Sequence, residues 1–167
     1  MTTFGDGSQY LSVRQRLVDA VAERMRKIYR DGTVTIAATG RVHTFATTFP
    51  ADQVFVWRKT EMRENGIVIR DHSADTKVDD MVEFGKHEHR LTITIEAYLL
   101  EKTVTAPVSR QALADVMAAL GEDHKWGGLA RYTEILGHQI GVEQSGNIVG
   151  GGSVDVAITY RTGWFEM

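Results

Sequence analysis

Residues 126–167 read WGGLARYTEILGHQIGVEQSGNIVGGGSVDVAITYRTGWFEM, and this stretch decides the fold class. Two alternating segments flank a glycine-rich connection. Leu136, Ile140 and Val142 share one parity of the first segment, with His138 interrupting. Val154, Val156, Ile158 and Tyr160 share one parity of the second, with Asp155, Ala157, Thr159 and Arg161 opposite. A strand with one buried face requires a period of two, because successive side chains point to opposite faces. The predicted product is a hairpin that closes a sheet, with Gly150, Gly151 and Gly152 as a turn or bulge. It contains no obvious chemistry.

Working outward, residues 89–100 form the clearest strand, with Leu91, Ile93, Ile95, Ala97 and Leu99 on one parity and Thr92, Thr94, Glu96 and Tyr98 on the other. Residues 110–120 carry a helical stripe of Leu113, Val116, Met117 and Leu120, with Ser109 as N-cap after a linker containing Pro107 and Gly121 as the stop. An earlier helix follows the capping box Ser12/Gln15: Val13, Leu17, Val21, Met25 and Ile28 recur at steps of three and four, and the helix is expected to run to about Tyr29, where Asp31-Gly32 stops it. Between these helices lie β-rich runs at 33–38 and 42–49, joined at Thr39-Gly40 as a short hairpin. Residues 53–58 favour a strand by composition, although Asp52 also suits a short helix cap. A strand at 67–70 follows the turn signal Asn65-Gly66. Residues 71–86 are polar and acidic without a period and read as a long loop.

Strands joined by short turns, rather than by alternating helices, point to an α+β fold. The expected architecture is a mainly antiparallel or mixed sheet of four to six strands, with two main helices packed on one face. The other face carries Thr, Glu, Asp and Arg and meets water or a partner. Residues 1–11 are expected to form a flexible arm, and residues 12–167 a single domain.

The bulk composition bounds the function. The chain has 167 residues, 43% of them hydrophobic and 25% charged, which is ordinary for a globular domain. A net charge of −3 argues against a dedicated nucleic-acid binder. The basic residues Arg14, Arg16, Arg24, Arg26, Lys27 and Arg30 are interleaved with Asp19 and Glu23, as on a solvated helix face. There is no cysteine, so disulfides and thiolate metal sites are excluded. No apolar run reaches the ~20 residues that span a bilayer. The opening MTTFGDGSQY lacks a secretory plan, so synthesis in the cytoplasm is expected.

His87-Glu88-His89 is the sharpest chemical candidate, since an H-x-H pair on a strand puts both imidazoles on one face. The next glutamate along that strand, Glu96, is distant and of opposite parity to His89. The two histidines are in phase with Leu91 and Ile93, where the strand would leave the core. His124 and His138 lack metal-site spacings, and Ser145 and Ser153 lack a nucleophile-elbow frame. The glycine run is not followed by Lys-Ser/Thr or by a helix, as a phosphate loop would be. Asp79-Asp80 reads as a solvated charge pair. No catalytic, cofactor or metal site is expected. Trp126 reads as a lid over the end of the sheet. Trp164-Phe165, beyond the last strand, reads as either a subunit interface or a satellite core.

Four stretches in order carry a family resemblance: the helix at 13–28, the segment 67–71 leading into the strand 89–100, the helix 110–120 running into Trp126-Gly127-Gly128-Leu129-Ala130, and the closing strand ending Tyr160-Arg161-Thr162. With them the chain resembles the tail terminator, or tail-completion, proteins of long-tailed bacteriophages, also called minor tail or neck proteins. The resemblance implies a structural role without catalysis. Such proteins form a ring, typically a homohexamer, on the last ring of major tail protein. The ring stops tail-tube polymerisation and presents a surface to the head-completion or connector proteins. DNA passes through only as cargo and no membrane is involved. The implied location is the tail or neck of the virion, after assembly in the host cytoplasm. Trp126, Arg131, Arg161, Trp164 and Phe165 are the expected subunit or partner contacts. The alternatives are another head–tail connector or tail-tube component, or a small metalloenzyme using His87 and His89.

Overall fold

The computed structural model describes residues 12–57, 64–72, 86–100, 105–145 and 147–163, without the side chains of 142–149. The expected arm at 1–11, most of the expected loop at 71–86, and Trp164 and Phe165 lie outside the described residues. The described residues form an α+β fold: helices α1 (Val13–Met25) and α2 (Ala106–Leu120) with strands β1 (Thr33–Thr35), β2 (Val42–Thr44), β3 (Val54–Val56), β4 (Gly66–Asp71), β5 (Lys86–Leu100), β6 (Tyr132–Ser145) and β7 (Asn147–Gly163). Five strands make one mixed sheet in the order β3-β4-β5-β7-β6, and β1 and β2 pair as a separate hairpin. Only the β3–β4 pairing is parallel.

Both helices lie on one face of the large sheet, α1 over β3 and β4 and α2 over β7 and the near side of β6. Leu91, Ile93, Ile95 and Leu99 of β5 are fully buried beneath them, together with Val154, Val156 and Ile158 of β7. Each such side chain contributes roughly 1.5–3 kcal/mol through burial. From α1, Leu17, Val21 and Met25 enter this core; from α2, Ala112, Leu113, Val116 and Leu120 do. The strand reading holds for Val54–Val56, but Asp52 is not a cap: it lies inside a 3₁₀ turn at Ala51–Gln53, which follows Pro50 and leads directly into β3.

Several local expectations are corrected. Helix α1 ends at Met25, not near Tyr29, and Ile28 is buried in the following turn. Ser12 caps α1 by accepting from the Gln15 amide at 3.1 Å, but the Gln15 side chain bonds Asp19 instead of closing the box. Thr105, not Ser109, is the N-cap of α2, and Ser109 is wholly buried inside the helix. The reason is Pro107: it belongs in the first helical turn, where a missing N–H costs no intrahelical bond. Strand β5 begins at Lys86, so the two histidines lie within it.

The largest correction concerns the glycines. Gly150, Gly151 and Gly152 are neither turn nor bulge; they lie inside β7, paired with Leu99, Tyr98 and Ala97 of β5 and with Val142, Gly141 and Ile140 of β6. The hairpin instead closes on the pair Ser145 and Asn147. Gly151 has φ +131, and a β-carbon there would overlap the Ala97 carbonyl; one on Gly152 would overlap the Gln139 carbonyl. Glycine is needed because both neighbouring backbones press against this point of the central strand.

Candidate partner-binding surface

The sheet face away from the helices is polar, as expected, and it is organised into ion pairs across strands. Arg161 on β7 donates to Glu88 on β5 at 3.1 Å, and Arg131 approaches the same carboxylate at 3.9 Å. Two of the expected contact residues therefore converge on Glu88 at one end of the open face. Arg90 reaches across β7 to Glu134 on β6 at 3.4 Å, and the small residues Ala157 and Thr159 are buried beside this bridge. Further along, Arg70 pairs with Glu96 at 3.3 Å and the Tyr98 hydroxyl donates to the same carboxylate at 2.9 Å. Thr94 donates to Asp155 at 2.6 Å. Partly exposed pairs of this kind add little to stability, so the face is ordered and charged without being sealed.

Strand β6 is the edge of the sheet, and it does not behave as the alternation suggested. A register shift between Ile135 and Gly137 sets Leu136 out of phase with the residues that follow. Ile135, Leu136 and Ile140 are 40%, 45% and 38% exposed, because the helical layer does not extend fully over this strand. Leu136 and Ile140 of the expected buried parity are thus exposed, and the Val142 side chain lies outside the described residues. Tyr132, at the start of the strand, is half exposed on the other face, opposite Thr159. A long edge strand with exposed apolar residues is a template for pairing with another chain.

The aromatic and histidine candidates resolve differently. Trp126 is buried, with its indole N–H donating to Thr133 at 2.7 Å and the Arg24 guanidinium 3.6 Å above its ring. It packs as the lid, so its ring is not presented to solvent. The turn around it is held by Asp123, whose carboxyl lies below the usual range because the Gly127 and Lys125 amides donate to it. His87 and His89 share one face with ring centroids 6.4 Å apart. His89 stacks on Tyr160 at 5.0 Å and its Nε2 bonds the Thr162 hydroxyl at 2.7 Å. Burial, with His87 adding to it, holds the His89 pKa below its usual value. Among the described residues no group of three or more His, Cys, Asp or Glu side chains is placed to hold a metal ion.

Two acidic residues not singled out from the sequence organise the helix side. Asp115 is fully buried in α2 and accepts from His43 Nε2 at 2.7 Å and from the Ala46 and Thr47 amides at 3.1 and 2.8 Å. It fastens the chain after β2 to α2. Asp71, at the end of β4, accepts two bonds from Arg14 of α1, at 2.8 and 2.6 Å, and one from the Trp57 indole. Burial raises its pKa, but the bonds from Trp57 and Arg14 outweigh that and hold it below the usual carboxylate value. The only sequence signal for Asp115 was a charged residue within an apolar helical stripe.

Among the described residues no helix is long and apolar enough to cross a membrane. No family model matches the sequence, and no curated protein matches it.

Proposed function

We propose that this chain is a structural virion protein of the tail terminator type. In this reading it assembles as a ring on the phage tail tube, ends tube polymerisation and offers the joining surface for head-completion proteins. It acts in the tail or neck without catalysis, and DNA passes through the ring only as cargo. The observation that carries the proposal is the edge strand β6, with Ile135, Leu136 and Ile140 exposed along it. An apolar edge at one side of a sheet suits a heterologous contact, in which one surface meets a different surface of the next copy and rotation closes the ring. The charged open face, with Arg131 and Arg161 around Glu88, suits the more polar contact of a partner that docks reversibly.

Light scattering and electron microscopy of the purified protein test this. Rings of uniform diameter, alone or on added tail tubes, are the expected result. Open filaments would identify a tail-tube component instead. A protein that stays monomeric and leaves tube length uncontrolled would overturn the proposal.

A further inference from the structure

A heterologous contact needs two different patches on each copy. The β6 edge supplies one, with Ile135 and Ile140 exposed. Their register partners, Val156 and Gly152, place both on the helix side of the sheet: Val156 lies in the core, and the β-carbon position of Gly152 meets Leu113 of α2. The opposite edge of the same sheet is β3. Roughly 19 Å of sheet separates the two edges, so they do not meet within one copy.

At the end of β3 stands Trp57. Its backbone lies at φ +63, a left-handed conformation that is an outlier for a bulky side chain. Its amide continues the β3–β4 ladder by donating to the Ile69 carbonyl at 2.8 Å, and its indole N–H donates to Asp71. Asp71 is held in turn by Arg14 of α1. By alternation Trp57 would follow Phe55 onto the open face, since Val54 and Val56 pair with Ile67 and Ile69 and face the helices. The left-handed turn instead brings the indole to Asp71, which pairs with Ile93 and lies on the helix side. The Trp57 side chain is nevertheless 57% exposed, although tryptophan is a residue that folds mostly bury. A strained backbone beneath a fixed, exposed aromatic points to a use outside the fold.

We infer that Trp57 is the second half of the subunit contact and docks on Ile135 and Ile140 of the next copy. Rotation about a ring axis keeps the helix layer on the same side in every copy. Patches that meet edge to edge therefore lie in that layer at opposite edges of the sheet, as Trp57 and the two isoleucines do. A tryptophan held at two points loses little freedom on docking, and such anchors dominate interface energies. The inference rests on the ring reading and names the residue that the β6 edge receives.

The test is photo-crosslinking of the full chain with Trp57→benzoylphenylalanine, which keeps a large aromatic at the site. Irradiated assemblies should give covalent oligomers on a denaturing gel, with mass spectrometry locating the link within β6 of a second copy. Adding Ile140→Lys should abolish it. Trp57→Gly suits the positive φ, so it should keep cooperative unfolding while weakening assembly at least about tenfold. Trp57→Phe should retain assembly. Rings that form without this cross-link, or with it elsewhere, would overturn the inference and leave the ring reading standing. A wild-type chain that stays monomeric would overturn both. Should the photoreactive chain not assemble, Trp57→Gly decides: undiminished assembly overturns the inference, and lost assembly with cooperative unfolding supports it.

Discussion

Gly151 and Ala97 meet so closely across the β5–β7 ladder that no side chain fits between them: a β-carbon on Gly151 would overlap the Ala97 carbonyl. With φ at +131, the backbone at Gly151 is also in a region L-residues rarely adopt. Gly151→Ala should therefore destabilise by about 3 kcal/mol or more, combining backbone strain with steric overlap. Gly137→Ala on β6 is the control, since its β-carbon position is empty, and it should be neutral or slightly stabilising. Urea unfolding of the two variants checks the contrast. Equal midpoints would show that the β7 backbone relaxes more easily than its pairing on both sides suggests.

The Asp115 staple should be costly to remove. Asp115→Ala leaves the Ala46 and Thr47 amides without their acceptor and frees the segment after β2. A loss of about 3 kcal/mol is expected in chemical denaturation. His43→Ala removes one bond from the partly exposed side of the cluster and should cost about 1 kcal/mol. If Asp115→Ala unfolds at the wild-type midpoint, the staple does not hold the hairpin.

A pH dependence follows from His89. Its folded pKa lies below the unfolded value of about 6.5, through burial first and His87 second. The native state thus binds this proton less well than the unfolded chain. The stabilisation is complete above pH 6.5 and is lost as pH falls through the folded pKa. Asp71 has a depressed carboxyl pKa, so its contribution is present above 3.8 and is lost at lower pH. Unfolding midpoints should decline between pH 7 and 5, then again in the acid range, and His89→Gln should flatten only the first decline. An unchanged profile in that variant would remove His89 as its origin.

The β6 edge is tested by Ile135→Lys and Ile140→Lys. Both side chains are substantially exposed in the single chain, so folding stability should change by no more than about 0.5 kcal/mol. Assembly, measured by light scattering, should be lost in both. Rings that persist in the double variant would place the subunit contact elsewhere.

Much of the fold was legible because its signals are local. The alternation in residues 89–100 and 154–160, and the stripes of the two helices, follow from the geometry of each element and the need to bury one side of it. The ends were less legible. Pro107 read as a linker residue although it sits in the first turn of α2, and Ile28 continued a helical spacing although it is buried in a turn. Of the expected contacts, Arg131 and Arg161 meet at Glu88, whereas Trp126 is a buried lid. Asp115 showed only as a charge within an apolar stripe and Asp71 gave no pattern, because the partners of each are far away in sequence.

The closing hairpin separates the two kinds of information. Sequence alone determined that residues 126–167 contain two strands and that Val154, Val156, Ile158 and Tyr160 face a core, since a period of two is written into the chain. Only the tertiary structure decided that β7 is a central strand and β6 an edge. That difference makes the glycine run a point of close backbone contact and leaves Ile135, Leu136 and Ile140 exposed. Alternation states which side chains share a face, but burial depends on what other elements bring to that face. Here α2 covers β7 and reaches only the near side of β6.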